Sequence, residues 1–493
     1  MPIRAEAPGV PGLKAVLARH GYLGPEALAA LGGPVGESHR RLDLPLYLRR
    51  LGSPAPLHVL IRLFGLFVPV GEAEARAALA PLDLGAIEEM GLVERRGGEV
   101  RALAGLTAFE GLLLAHDRLE DADPQLGSDH VLGVNPSTVN LAQLTVRRPA
   151  RSALDMGCGN GAQALLLARC AARVTGVDVN RRALGFARFN ARLNGVENVE
   201  WLEGDLFEPL AGRRFGIVVS NPPYVISPET RFAFRDSGRR GDAVSAEVVR
   251  GAAAHLEEGG HATVLCNWAL AEGEEWSAPP RRWAEATGCD ALVLYRGSQD
   301  ALAYAAAWNR SLDRTAYGEA LDRWAAHFRA LGVAAVGLGA VVLRRRPGGR
   351  SFVHAEELPE RPQGPAGDHI LRMLAAQEAL RAGGPDAVPL GGRYRAAPRH
   401  VVEQRLAPGD GGYRLEEARL RLDEGLGFDG TVDAFALELL RLCDGRRMLG
   451  DAVGALCGEG RAERSSVLQV ARRFLALGFL VPADERVEID ERS

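Results

Sequence analysis

The chain has 493 residues, too many for one ordinary hydrophobic core, so two to four domains are expected. With 47% hydrophobic and 25% charged residues it has the composition of a soluble globular protein, and a formal net charge of -4 excludes a global electrostatic pull on a polyanion while leaving room for a local basic patch. Its six cysteines form no C-x-x-C pair and have no histidine cluster at ligand spacing beside them, so no metal site is expected and a reduced, cytoplasmic protein is. The N-terminus carries no signal-peptide pattern, and no apolar run is long enough to span a bilayer. Arg far outnumbers Lys, and Ala, Leu and Gly abound, as in proteins from GC-rich bacterial genomes.

Residues 1–116 form the first expected domain. Helical spacing runs over 12–31, and 56–67 carries an apolar face interrupted by Arg62. Short helices over 72–79 and 84–90 precede two alternating runs around Gly97-Gly98, which predict a hairpin. Helix, helix and hairpin in this order suggest a mostly helical, winged-helix-like domain. The helix that would enter a DNA groove offers Asp83, Glu88 and Glu89, which repel phosphate, so packing or protein recognition is favoured over DNA binding. An acidic stretch over 117–127 reads as a linker. Beyond it, Asn135 or Ser137 caps a helix with Pro136 in its first turn. A second reading lays this loop over a cofactor, because a glycine motif follows it.

From Arg151 onward strands and helices alternate. Strands are predicted over 152–156, 173–177, 199–203, 216–220 and 261–266, with helices over 161–171, 181–193 and 243–256. Such alternation is the sign of a parallel sheet covered on both faces. A strand at 291–295, a helical insertion over 298–331 and a last strand over 333–343 complete the second domain, residues 128–346. The insertion carries Tyr304, Trp308, Tyr317, Trp324 and Phe328, spaced as core aromatics, with a substrate cleft as the alternative. A Pro- and Gly-rich linker over 347–367 leads to a third domain, 368–493, whose helices at 431–440, 448–456 and 466–477 suggest a second winged-helix-like pattern.

The informative stretch lies in the second domain. The first strand runs into Asp155-Met156-Gly157-Cys158-Gly159-Asn160-Gly161, a tight turn whose backbone lets a ligand approach closely. Alone, this motif also fits a dinucleotide with its pyrophosphate at the helix N-terminus. Asp155 inside the loop is a poor neighbour for a pyrophosphate and a good acceptor for an ammonium group. Asp178 ends the second strand, where a carboxylate can accept both ribose hydroxyls, and Asp205 follows the third, placed to accept from an adenine amine. Three acids so spaced fit an adenosine that carries an amino acid. After the fourth strand comes Asn221-Pro222-Pro223-Tyr224.

These four motifs, in this order, resemble the class I S-adenosylmethionine-dependent methyltransferases, and Asn221-Pro222-Pro223-Tyr224 resembles the subgroup that methylates nitrogen on planar amides and exocyclic amines. The resemblance implies a Rossmann-like, seven-stranded methyltransferase sheet, flanked here by the two mostly helical, winged-helix-like domains. It implies S-adenosyl-L-methionine as cofactor, with the Gly157, Gly159 and Gly161 loop and Asp155 at the methionine portion, Asp178 and Val179 at the ribose, and Asp205 and Leu206 at the adenine. Asn221, bordering both cofactor and acceptor, would present the reacting nitrogen together with Pro222 and Tyr224. An amide or aryl NH2 is a weak nucleophile because its lone pair is delocalised. Two acceptors, the Asn221 side-chain oxygen and the Pro222 carbonyl, can grip both N–H groups and hold the developing positive charge. Tyr224 can stack on the planar acceptor.

Gly204-Asp205-Leu206-Phe207-Glu208-Pro209-Leu210 and Ser220–Val225 are most similar to enzymes that methylate a glutamine side-chain amide in protein release factors, which implies a protein substrate. The wing of the first domain, the insertion and the third domain depart from that pattern. A nucleobase amine of RNA or DNA is the alternative, because Arg231, Arg235, Arg239 and Arg240 crowd after the tetrapeptide and Arg147, Arg148 and Arg151 before the sheet. A tailoring enzyme acting on a peptide or small molecule, and a non-catalytic scaffold that only senses the cofactor, are further readings; a sensor has no use for the acceptor-presenting tetrapeptide. Asp236 and Trp268 fall near the expected cleft without an assigned role.

Overall fold

The computed structural model describes residues 3–32, 43–118, 127–230, 235–236, 238–348, 350–359, 362–382, 387–409, 412–458 and 463–484. Arg231 and most of the acidic stretch before residue 127 lie outside them. Two compact units emerge: residues 1–142, 147–289 and 297–353 form the first, and residues 143–146, 290–296 and 354–493 the second.

The first unit opens with α1 (Val10–Arg19), α2 (Pro25–Leu31), α3 (Leu44–Arg50) and α4 (Pro56–Leu60), the last continued by a π turn over Ile61–Gly65. One helix was expected over 12–31; two form, because Gly21 takes a left-handed φ of 77° and Pro25 starts the next helix. Strand β1 (Val70–Gly71), helices α5 (Glu72–Leu79) and α6 (Leu84–Glu89), and strands β2 (Val93–Arg96) and β3 (Glu99–Ala102) follow, with the strands in the order β1-β3-β2, all antiparallel. Two of the three acids at α6 have structural partners. Asp83 caps the helix by accepting from Gly85 N–H at 2.7 Å, and Glu88 accepts from Arg95 Nε at 2.8 Å. A second hairpin, β4 (Gly105–Phe109) and β5 (Leu112–His116), then leads to α7 (Pro136–Leu144).

The central sheet comprises β6 (Ala150–Met156), β7 (Ala171–Asp178), β8 (Val199–Glu203), β9 (Phe215–Ser220), β10 (Leu256–Leu270) and, further on, β12 (Ala335–Arg344). Helices α8 (Ala162–Leu167), α9 (Arg181–Leu193), α10 (Ala243–Ala254) and α11 (Ala278–Glu285) intervene. Within the unit the strands run β12-β10-β9-β6-β7-β8, parallel except for the antiparallel β10–β12 pair. The strand expected at 291–295 is present as β11 (Asp290–Asp300), and the insertion as α12 (Ala301–Asn309) and α13 (Arg314–Leu331). Tyr304, Trp324 and Phe328 pack with Val225 and Ile226 in one buried cluster, as core aromatics; Trp308 is more exposed.

Strand order reverses at β6, which has β7 on one side and β9 on the other. The connections from β6 and β9 therefore leave on opposite faces, opening a crevice beyond their carboxyl ends. The N-terminal segment is not insulated from this sheet. Its core contains Ala183, Phe186, Phe189 and Leu193 of α9 beside Leu13, Leu17, Phe64 and Leu113.

The second unit holds β13 (Val353–Glu357) next to β11, then α14 (Gly367–Ala382), β14 (Arg393–Ala396), β15 (His400–Gly409), β16 (Gly412–Leu422), β17 (Asp429–Val432), α15 (Ala434–Leu442), β18 (Asp444–Met448), α16 (Leu449–Gly458), α17 (Arg464–Ala476) and β19 (Leu480–Pro482). The three expected helices form, but helix α15 starts at Ala434 rather than 431, because Thr431 and Val432 end a strand and Asp433 caps the helix. The antiparallel sheet β15-β16-β17 and the strand β13 inside the presumed linker were not anticipated. His369 ties the unit together. Its Nε2–H donates to the Leu477 carbonyl at 2.9 Å, and Nδ1 accepts from Leu426 N–H at 3.1 Å.

Burial pushes the His369 imidazole from 6.5 down to about 4. The unfolded chain therefore binds a proton that the folded one refuses, and the contribution of His369 is present above pH 6.5 and lost as pH falls to about 4. The loss is on the order of 3 kcal/mol. Urea unfolding at a series of pH values should show His369→Asn flattening that slope relative to the unaltered chain.

Candidate functional site

A cavity opens at the crevice beyond β6 and β9, lined by the turns that follow β6, β7, β8 and β9 and by residues 130–138. Eight of the eleven residues singled out from the sequence meet there: Asp155, Gly157, Gly159, Asp178, Val179, Asp205, Leu206 and Asn221. Gly161, Pro222 and Tyr224 do not line it.

Each glycine of the turn has its own reason. Gly157 and Gly159 hold left-handed φ values of 72° and 55°, and a methyl group added at Gly159 would meet nothing within 4 Å. The chain there is a bare cradle with room for a ligand against the backbone. Gly161 serves packing instead. A methyl at Gly161 would lie 2.8 Å from the Trp201 ring and 3.2 Å from Ala187 Cβ, so its absence lets α8 start close to α9.

Asp178 uses its carboxylate to fix the loops. Oδ2 accepts from Gly159 N–H at 2.7 Å and Oδ1 from Asn180 N–H at 2.8 Å. Burial raises its pKa, and these backbone donors oppose the rise. The expected ribose acceptor is thus also the pin between the glycine turn and the turn after β7. Val179 beside it is 58% exposed, an apolar face turned to open space at the cavity. Leu206 takes a left-handed φ of 49°, rare for a leucine. Asp205 sits 3.4 Å from Arg239 Nη2, and Arg239 also pairs with Glu247 at 2.7 Å.

Asp155 is 2% exposed and accepts from Ala164 N–H at 2.8 Å. Burial, with the nearby Asp178 charge adding to it, pushes its carboxyl up to about 7. A carboxyl so placed is ionised comfortably only beside a cation. The amino-acid portion of the expected cofactor carries such a cation, so the open glycine cradle and the buried acid fit that group.

The tetrapeptide follows β9. Asn221 and Pro223 line the cavity; Pro222 is buried and Tyr224 half-buried. Tyr224 N–H donates to the Pro222 carbonyl at 2.7 Å, closing a tight turn. The carbonyl expected to grip a substrate N–H is therefore engaged on one lone pair, leaving its second. Tyr224 Oη is 2.7 Å from Ser137 Oγ, and the Tyr224 backbone bridges to Asp236.

The loop before the sheet caps its helix and borders the cavity. Asn135 caps α7, taking Thr138 N–H at 3.0 Å, and His130, Val131, Leu132, Gly133, Asn135 and Thr138 form one wall of the cavity. Sequence reasoning missed Asp117, Gln163 and Asn190. Gln163 lines the cavity and its Nε2 donates to the Thr138 carbonyl at 2.8 Å. Asn190 is fully buried; it exchanges hydrogen bonds with Ala115 and donates to the Asn160 carbonyl at 2.9 Å. The signal was there: Asn190 falls on the apolar face of α9, among Phe186, Ala187 and Leu193. Asp236 pairs with Arg235 at 2.8 Å and accepts from Ser227 Oγ at 2.9 Å, while Trp268 is a core residue donating to the Trp276 carbonyl at 2.8 Å.

Residues 135–274 match the family described as Methyltransferase small domain, and residues 19–103 match one described as a domain of unknown function, DUF7059. The release factor glutamine methyltransferase of Vibrio cholerae is 34% identical over 155 residues, covering 30% of this chain and 50% of the relative. That of Geobacter sulfurreducens is 33% identical over 181 residues, covering 31% and 63%, and that of Escherichia coli 35% over 141 residues, covering 27% and 47%. The chain thus spans about half the length of the first of these curated relatives, and the likeness covers the catalytic domain alone. The matched segment, 135–274, carries β6 to β10 of the central sheet with the glycine turn, the acids at the strand ends and the tetrapeptide, so this part of the sheet is similar to a methyltransferase domain.

Asp155 supplies a test. In the ligand-free protein its proton is held up to about pH 7, so its contribution to stability is full below 3.8 and lost as pH rises through 7. An ammonium ligand needs the ionised form, so affinity for S-adenosylhomocysteine should rise by up to about tenfold per pH unit approaching neutrality. Calorimetry should find this slope flattened, and affinity lowered, in Asp155→Asn.

Proposed function

We propose that the protein transfers a methyl group from S-adenosylmethionine to a planar amide nitrogen, the side chain of a glutamine in a protein substrate. Asn221-Pro222-Pro223-Tyr224 carries this reading: Asn221 borders the same cavity, at the end of β9, as the glycine turn and the buried Asp155. S-adenosylmethionine supplies an electrophilic methyl carbon on a sulfonium.

The chain's own residues supply position and charge. Asn221 Oδ1 and the remaining lone pair of the Pro222 carbonyl accept the two N–H groups of the acceptor, drawing electron density onto nitrogen. As the new C–N bond forms and the C–S bond breaks, positive charge appears on that nitrogen and one proton is released. Fixed dipoles stabilise this charge more than they stabilise the neutral amide. The Pro222–Tyr224 turn and the Ser137 hydrogen bond restrain the Tyr224 ring, which stacks on the flat acceptor.

Similarity to release factor glutamine methyltransferases supports glutamine as the acceptor. Two of the arginines that suggested nucleic acid are engaged by carboxylates. Arg235 is paired with Asp236, and Arg239 with Asp205 and Glu247, so neither is a spare charge for a phosphate. On this reading the segment over residues 1–116 and the second unit recognise the substrate or its partners.

Incubation of the chain with methyl-labelled cofactor and cell extract should place label in protein, recovered as N5-methylglutamine after enzymatic digestion and as methylamine after hot acid hydrolysis. Label in nucleic acid would overturn the substrate assignment. Asn221→Ala should lose on the order of 10²–10³ in turnover with S-adenosylhomocysteine affinity unchanged. An unaltered rate would remove the tetrapeptide from catalysis.

A further inference from the structure

We propose that Asp117 and Arg182 form a clasp that positions one wall of the cofactor cavity, so that strand β5 of the N-terminal segment is a working part of the cofactor site. This rests on the methyltransferase reading of that cavity and adds to it Asp117 and β5, which lie outside the residues matching either family.

Asp117 directly follows β5 and is 7% exposed. Both its oxygens accept from Arg182, Oδ2 from Nη1 and Oδ1 from Nη2, a two-pronged contact. Oδ2 also accepts from Val131 N–H at 2.7 Å, while Asp117 N–H donates to the Val131 carbonyl at 3.0 Å. Val131 is thus held on both its backbone groups by one residue. His130 Nδ1 stands 3.6 Å from the same carboxylate.

Each partner belongs to the cavity or abuts it. His130, Val131, Leu132 and Gly133 line the wall, and Arg182 sits in the first turn of α9, directly after the Asp178-Val179-Asn180 turn. Asn180 repeats the connection, its Nδ2 donating to the Asp129 carbonyl at 2.8 Å. The tie extends along β5. Asn190 takes Ala115 N–H at 2.7 Å, gives an N–H to the Ala115 carbonyl at 3.1 Å and gives another to Asn160 in the glycine turn. Asn194 pairs with both backbone groups of Leu113 in the same way.

A buried carboxylate is costly unless each lone pair is used. A loop needing only a stop would be cheaper to hold with apolar contacts. A buried carboxylate spent on one loop residue and one helix turn fixes the two to each other, and both Val131 and the Asp178-Val179-Asn180 turn line the cavity. Asp117 and Arg182 are positioning residues: they act on the ligand through Val131 and the Asp178 turn.

The test uses the full chain, with S-adenosylhomocysteine as probe. Calorimetry should find Kd raised by about tenfold or more in Asp117→Asn and in Arg182→Gln, with the double variant no worse than the weaker single one. Arg182→Lys, which keeps the charge and loses the two-pronged contact, should recover part of the affinity. Arg181→Gln, one residue away and directed at Glu203, should bind normally. Amide exchange at Val131 should accelerate in both clasp variants by more than the accompanying loss of global stability accounts for. Kd values within about twofold of the unaltered chain would overturn the proposal. If the unaltered chain binds no S-adenosylhomocysteine, the cofactor reading fails separately, and the clasp stands or falls on Val131 exchange. Should Asp117→Asn not fold, Arg182→Gln decides, since the Arg182 side chain is 39% exposed.

Discussion

The carboxylate of Asp178 is the constraint on which the rest of the site depends. One oxygen holds the amide of Gly159 and the other the amide of Asn180, so the turns after two neighbouring parallel strands are locked to each other before any ligand arrives. A parallel sheet alone provides strand ends in a row; it does not set the spacing of the loops that leave them. Asp178 does. Asp155, one strand over, serves the same end by capping into α8 through Ala164. The Asp178 charge adds to the burial that keeps Asp155 protonated, and a cationic ligand relieves that conflict.

Much of this could be read directly because it is local. The glycine turn, the acids at strand ends and the tetrapeptide each occupy a few consecutive residues, and alternation between period-two and helical segments orders them along the sheet. What escaped was long-range. Asn190 meets Ala115 across 75 residues and Arg182 meets Asp117 across 65, and no periodicity in either segment names its partner. The acidic composition around residue 117 reads as linker, yet Asp117 is buried. A fully buried asparagine on the apolar face of α9 was the one visible clue.

The same distinction accounts for two other differences. The arginines after the tetrapeptide look like a phosphate track when only their spacing is seen; in three dimensions Arg235 and Arg239 face carboxylates. Strands β15 and β16 alternate in sequence, but with charged residues on much of their length and only Ala418, Leu420 and Leu422 buried on β16, so the hydrophobic signal that marks a strand is confined to one end.

Helix α9 finally bears on how such a chain is put together. Phe186, Phe189 and Leu193 are sealed by side chains from the first hundred or so residues, while the opposite end of the same helix begins at the cofactor turn. A catalytic fragment trimmed at residue 128 would turn those rings toward water. The front of this protein is therefore not a portable attachment that can be grafted or shed; it and helix α9 share one oily interior.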